Sequence, residues 1–278
     1  MADNGSLASP GAVWAEVVAG LRAKVHEADL DSRFRLATQG SLQDRIFHLH
    51  SGKVKLTRPT SLGRDHLLEV LGPTDTLGLN ALTESPLNRA GDSHASQRLS
   101  PPSPPTETAR EGDPHSANNS AGSDPARTWF ATATTLEPVH LDWVLVTDAR
   151  PYLAKHPELH LELLRALNRQ TEMLYQRTIA MQDIDVPGRI AAALLELMER
   201  FGQPLEADVT SQTRLTGAGG TGVRLPHGLT QLELGQMAGA SRETANKVLA
   251  DFIARGWIVQ KRRSIVIMNE ERLRYRAS

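Results

Sequence analysis

The chain has 278 residues, 40% of them hydrophobic, a formal net charge of −1 and no cysteine. That length can bury two modest cores, and the missing thiols exclude disulfides, cysteine nucleophiles and thiolate-held zinc or iron–sulfur groups. No run approaches the roughly 20 apolar residues of a membrane span, and the first thirty residues, which contain Asp3, Glu16, Glu27 and Asp29, lack a secretory leader pattern, so a cytoplasmic protein is expected.

In chain order, Val13, Val17, Leu21 and Val25 recur every four residues and predict a helix over Val13 to Val25, within an N-terminal helical segment 1–32. From Arg33 to about residue 149 the texture changes to short apolar runs cut by turn residues: Ile46 to Leu49, Gly52, Val54 and Leu56, Leu67 to Leu71, then Gly72-Pro73. Such spacing predicts an antiparallel barrel, roll or sandwich. Residues 88–126, rich in Ser, Pro, Gly and Asn and including PPSPP, have almost nothing to bury, and their composition predicts a disordered insertion. Strand texture resumes at Arg127 to Thr135 and at Val139 to Val144, so the insertion interrupts one β domain.

Residues 150–185 then predict one long helix, continuous over 151–183. Leu164, Leu167, Thr171, Leu174, Thr178 and Met181 alternate at three- and four-residue steps, the seam of a two-stranded coiled coil. A second copy of the chain would bury that seam; the alternative is that it faces the chain's own β domain. After Asp185-Val186-Pro187-Gly188, a helix with Ile190, Leu194, Leu197 and Phe201 on one face opens a C-terminal domain over 186–278, which a flexible stretch at 206–222 interrupts.

Thr230 and Glu233 form a T-x-x-E capping box at the start of a short helix, Gly239 ends it, and Ser241 caps the next. In that next helix Ala245, Val248, Leu249 and Phe252 share the inward face. Arg242, Glu243, Asn246 and Lys247 are placed on the other, where the first turns of a recognition helix reach base edges: arginine matches guanine O6 and N7, and glutamate accepts from a cytosine amino group. Two strands follow, Trp257 to Gln260 and Ser264 to Met268, joined by Lys261, Arg262 and Arg263 as a cationic tip suited to phosphate. Between Ser241 and Arg263 six cations face two anions, a basic face on a nearly neutral chain.

Three segments, SGKVKL (Ser51 to Leu56), DVPGRIA (Asp185 to Ala191) and LTQLELGQMAGASRETANKVLADFIARGWI (Leu229 to Ile258), resemble the cyclic-AMP receptor protein (Crp/Fnr) family of bacterial regulators. The resemblance implies an α+β fold: an N-terminal cyclic-nucleotide-binding-type antiparallel β roll, a long dimerisation helix and a C-terminal winged helix-turn-helix. It implies Arg242, Glu243 and Lys247 as base readers and Thr230 and Gln231 as phosphate contacts. Gly235 stands where the family favours a larger residue, which by helix propensity should cost up to about 1 kcal/mol relative to alanine. The segment before the family's first strand reads as shortened around Ala28 to Gly40.

By the same resemblance, Gly78, Leu79 and Asn80 stand where the family's nucleotide binders follow a glycine with a ribose-binding glutamate. Leu79 offers no acceptor. Arg127 and Thr128 match the pair that holds the cyclic phosphate, while Leu174 and Tyr175 stand where a small hydroxyl would meet the base. The pocket is therefore expected to be degenerate, with cyclic AMP disfavoured and no cofactor expected. The expectation is a homodimeric, sequence-specific regulator on a palindromic operator, not an enzyme, whose partners are double-stranded DNA, a second copy and RNA polymerase, with no membrane. Two alternatives stay open: a regulator of the same fold that depends on a cyclic nucleotide or another small ligand, and a cupin-like metal protein. The latter would use His48-Leu49-His50, which lacks the glutamate a cupin places nearby, so no metal site is assigned.

Overall fold

The computed structural model describes residues 10–60, 65–83, 128–205, 222–226, 228–261 and 264–278. The expected insertion at 88–126 lies outside them, as does the stretch 206–221.

Helix α1 (Pro10–Gly20) leads through a 3-10 turn (Arg22–Lys24) into strand β1 (His26–Leu30). The helix stops five residues short of the predicted Val25. It ends at Gly20, which lies against the Tyr152 ring and has the lowest helix preference of any residue but proline. Strands β2 (Arg35–Ala37), β3 (Arg45–Ser51), β4 (Val54–Pro59), β5 (Asp65–Leu71), β6 (Thr76–Leu77), β7 (Thr132–Thr135) and β8 (Val139–Leu145) complete two antiparallel sheets, ordered β1-β8-β3-β6 and β2-β7-β4-β5. Phe47, Leu49, Val54, Leu56, Leu77, Trp129, Leu141 and their neighbours fill the space between the sheets, which makes this a β roll. At the β3–β4 turn Gly52 has φ +82°, and a Cβ would sit 2.3 Å from the Pro138 carbonyl oxygen. The other face of the first sheet is covered at one end by Trp14 of α1, packed with Ile46, Val144 and Ala149.

The long helix read over 151–183 is two helices, α2 (Val146–Leu153) and α3 (Pro157–Asp183). His156 precedes Pro157, and a residue before proline is pushed out of helical geometry, so the break has a local cause. Helix α4 (Val186–Phe201) starts as its sequence indicates, with the Asp185 carboxylate accepting a hydrogen bond from the Gly188 N–H at 3.0 Å.

Helices α5 (Gln231–Met237), α6 (Arg242–Ala254) and α7 (Glu270–Ala277) and a sheet ordered β11-β12-β10-β9 surround α4; the strands are β9 (Gln203–Pro204), β10 (Val223–Leu225), β11 (Ile258–Lys261) and β12 (Ser264–Ile267). Their core does not stop at the C-terminal half. Leu67 and Val70 of β5 are buried in the same cluster as Leu194, Leu234, Leu249 and Ile258. Around that contact Lys55 Nζ lies 2.6 Å from Glu233 Oε1, the Leu67 N–H donates to Gln236 Oε1 at 2.9 Å, and Gln236 Nε2 donates to the Asp65 carbonyl at 3.0 Å.

Candidate nucleic-acid interface

Thr230 caps α5 and Glu233 answers it: the Glu233 N–H donates to Thr230 Oγ1 at 3.2 Å, and the Thr230 N–H donates to Glu233 Oε2 at 2.7 Å. Burial pushes the Glu233 carboxyl up, but the Lys55 ammonium and the Thr230 hydrogen bonds outweigh it and hold the group below its ordinary value. After Ala238, Gly239 takes φ +61°, and the Ala240 N–H reaches back to the Gly235 carbonyl at 2.8 Å. Ser241 then caps α6 through the Thr244 N–H.

Gly235 has a use the sequence did not disclose. A Cβ on it would lie 3.0 Å from Ala245 Cβ and 3.1 Å from the Ala240 carbonyl oxygen, so the two helices of the motif cross with glycine facing alanine.

On α6, Ala245, Val248, Leu249 and Phe252 are buried, whereas Arg242, Glu243 and Lys247 are exposed and make no ion pair with another described residue. These three side chains lie at the N-terminal turns, where the helix dipole is positive and favours phosphate nearby. Asn246, read as part of the same stripe, is half-buried, and its Oδ1 is enclosed without a hydrogen-bond partner among the described residues. Ser241 and Thr230 are exposed and Gln231 half-buried. Lys261 is exposed at the end of β11; Arg262 and Arg263 lie outside the described residues.

Along α3, Leu164, Thr171, Leu174, Thr178 and Met181 are all exposed, and the side chain of Leu167 lies outside the described residues. Leu174, Thr178 and Met181 line one wall of a cavity of about 300 Å³, with Leu67 and Leu68 of β5 and Met237 of α5 opposite.

The effector-type residues come from three separate parts of the chain. Gly78 ends β6 with φ +99°. Its carbonyl accepts from Gln43 Nε2 at 2.8 Å, and Gln43 and Asn80 exchange two side-chain hydrogen bonds at 2.8 and 3.0 Å. Leu79 packs with the Trp14 and Ile46 cluster on the helix-covered face of the sheet, away from the roll interior. Trp129, which the sequence reading passed over, fills that interior beside Gly78, its ring 6.0 Å from that of Phe47. Thr128 bridges Leu42, Arg127 lies outside the described residues, and Leu174 and Tyr175 are exposed on α3.

Residues 188–276 match the family model described as a Crp-like helix-turn-helix domain. Over 261 residues the chain is 32% identical to a CRP-like cAMP-activated global transcriptional regulator of Mycobacterium tuberculosis (strain ATCC 25618 / H37Rv), covering 94% of this chain and 92% of that protein. Among solved structures, FixK2 of Bradyrhizobium japonicum superimposes with a TM-score of 0.59 at 14% identity, over 91% of this chain and 98% of its own. A transcriptional regulator of the CRP family from Thermus thermophilus gives 0.60 at 17% identity, over 90% and 96%. The c-di-GMP responsive regulator CLP of Xanthomonas campestris gives 0.59 at 16% identity, over 91% and 98%.

Proposed function

The chain belongs to the Crp/Fnr family of DNA-binding transcription regulators, and from that premise we propose that it binds a palindromic operator as a homodimer without ordinary control by cyclic AMP. The observation that carries the DNA reading is the exposed Arg242, Glu243 and Lys247 set on the first turns of α6, behind a capped α5 and beside the Lys261 hairpin. In this reading Arg242, Glu243 and Lys247 face base edges, and Thr230, Gln231, Ser241 and the wing cations Lys261, Arg262 and Arg263 face phosphate. The exposed leucines of α3 support pairing of two copies through that helix, which would set two recognition helices on two half-sites. The domains of the proposal are the roll at 33–149, the dimerisation helix at 150–185 and the DNA-binding part at 186–278. The protein acts in the cytoplasm with RNA polymerase as a further partner, and it is a regulator rather than an enzyme.

Selection of bound sites from a random duplex library, followed by titration, tests this. A symmetric site whose affinity falls by about 1 to 3 kcal/mol at one base position per half-site with R242A fits the reading. Equal losses on selected and random duplexes would refute it.

The effector clause rests on Trp129, Gln43 and Asn80 occupying the surroundings of Gly78, with Leu79 turned away. A ligand shifts a conformational equilibrium only by binding the two states unequally, and here the ribose side of the family site offers it no acceptor at Leu79. The second reading, cyclic-nucleotide dependence, is favoured by the cAMP-activated relative. Operator affinity at fixed salt, without and with millimolar cyclic AMP, separates them: tenfold tightening, about 1.4 kcal/mol of coupling, selects the second.

A further inference from the structure

The H-x-H pair on β3 is not used by the DNA-binding reading, and the fold surrounds it with groups distant in sequence. His48 and His50 face outward from the β1-β8-β3-β6 sheet, and β8 brings His140 and Asp142 alongside them. Between Leu49 and Ser51 the register of β3 against β8 shifts, so His50 is the extra residue of a bulge, a device that re-aims a side chain. The rings of His50 and His140 lie 5.4 Å apart, centre to centre, and those of His48 and His50 5.2 Å apart.

Each of the two exposed rings is held from behind by a carboxylate. His50 Nε2 lies 2.6 Å from Asp142 Oδ2, and His140 Nδ1 lies 2.9 Å from Asp29 Oδ1. A ring nitrogen that donates its proton to a carboxylate leaves the other nitrogen as the lone-pair donor, which is the pattern behind most metal-bound histidines. That leaves Nδ1 of His50 and Nε2 of His140. A zinc–nitrogen bond of about 2.1 Å places the metal roughly 3.2 Å from each ring centre, so at the tetrahedral angle two ligand rings stand about 5.3 Å apart. The observed 5.4 Å between ring centres is a spacing that admits one such ion. The two carboxylates make the neighbourhood negative. His48, stacked on Trp14, is buried beside them.

We propose that this face binds one divalent transition-metal cation of the zinc type through the imidazoles of His50 and His140, with Asp142 and Asp29 as their supporting carboxylates and water in the remaining positions. No three side chains among the described residues converge on one point, so this is an open two-histidine site whose remaining positions water fills.

The full-length protein, freed of metal by chelation, is titrated with Zn²⁺ by calorimetry. Saturation at one ion per protomer is expected, with H50Q and H140Q each weakening it tenfold or more and D142N weakening it about 10- to 100-fold through loss of the supporting carboxylate. H66Q, on β5 of the other sheet, leaves it unchanged. A purely structural role for the Asp–His pairs predicts no saturable binding. That result, or binding equally strong in the H50Q/H140Q double variant, overturns the proposal. Imidazole nitrogen resonances of the unsubstituted protein give a readout independent of variant folding: Zn²⁺ should move those of His50 and His140, and movement confined to other histidines also overturns it.

Discussion

Gly235 shows how a residue can be read correctly by propensity and wrongly by context. Glycine inside a helix is unfavourable by about 1 kcal/mol relative to alanine, so the sequence alone makes G235A stabilising. The packing opposes that gain: the new methyl would meet Ala245 Cβ at 3.0 Å, and both that atom and the Ala240 carbonyl belong to elements held by caps and core. Overpacking of this kind costs about 1 to 3 kcal/mol. G235A should therefore lower the midpoint of chemical denaturation, and a raised midpoint would show that the two helices can slide apart. At about 100° per residue Asn246 falls between Arg242 and Glu243 on α6, on the stripe its spacing assigns it to, and there it is half-buried with its Oδ1 enclosed. Caps and turn glycines were legible because Thr230, Glu233, Gly239 and Ser241 act within a few residues of one another; Trp129 and Gln43 were not, since their partners lie in other strands.

Among elements, α3 carries the assembly question. Leu174 is 55% exposed and borders the cavity with β5 and α5. If a second copy covers this stripe, L174E buries an unpaired charge at the contact and should convert dimer to monomer in sedimentation at low micromolar concentration. An unchanged dimer places the contact elsewhere. The contact of β4 and β5 with α5 has a pH signature of its own. The Glu233 carboxyl is held below its ordinary value in the folded chain, so its contribution is present above the unfolded carboxyl's value, about 4.3, and is lost as pH falls through the lower folded value. E233Q keeps a capping-box side chain and removes the charge toward Lys55. The gap in unfolding free energy between E233Q and the unsubstituted chain should be widest near pH 7 and close on acidification; a gap independent of pH would assign Glu233 a capping role alone. Strand β1 escaped the sequence reading because its HEADL stretch has little apolar alternation and is held by pairing with β8. The break before Pro157 was written in the sequence, but the apolar periodicity runs across it.

At the level of the whole molecule, the order of roll, long helix and winged helix-turn-helix was legible because each has its own period and punctuation. How the two ends of the chain meet was not, because nothing local in Leu67 or Val70 announces that they bury themselves among α4 and α5 rather than inside the roll. That shared core should make the protein one cooperative unit when it melts. Calorimetry should show a single transition for the roll and the helix-turn-helix together, and L67A, which removes a fully enclosed side chain at a cost of about 2 to 5 kcal/mol, should lower it without splitting it. Two separated transitions would mean the halves unfold independently. With one transition, the slowest-exchanging backbone amides should lie on both sides of α3, in β4 and β5 as well as in α4 and α6, and a lesion in the roll would reach the operator as a smaller population of folded protein before it altered any contact with a base.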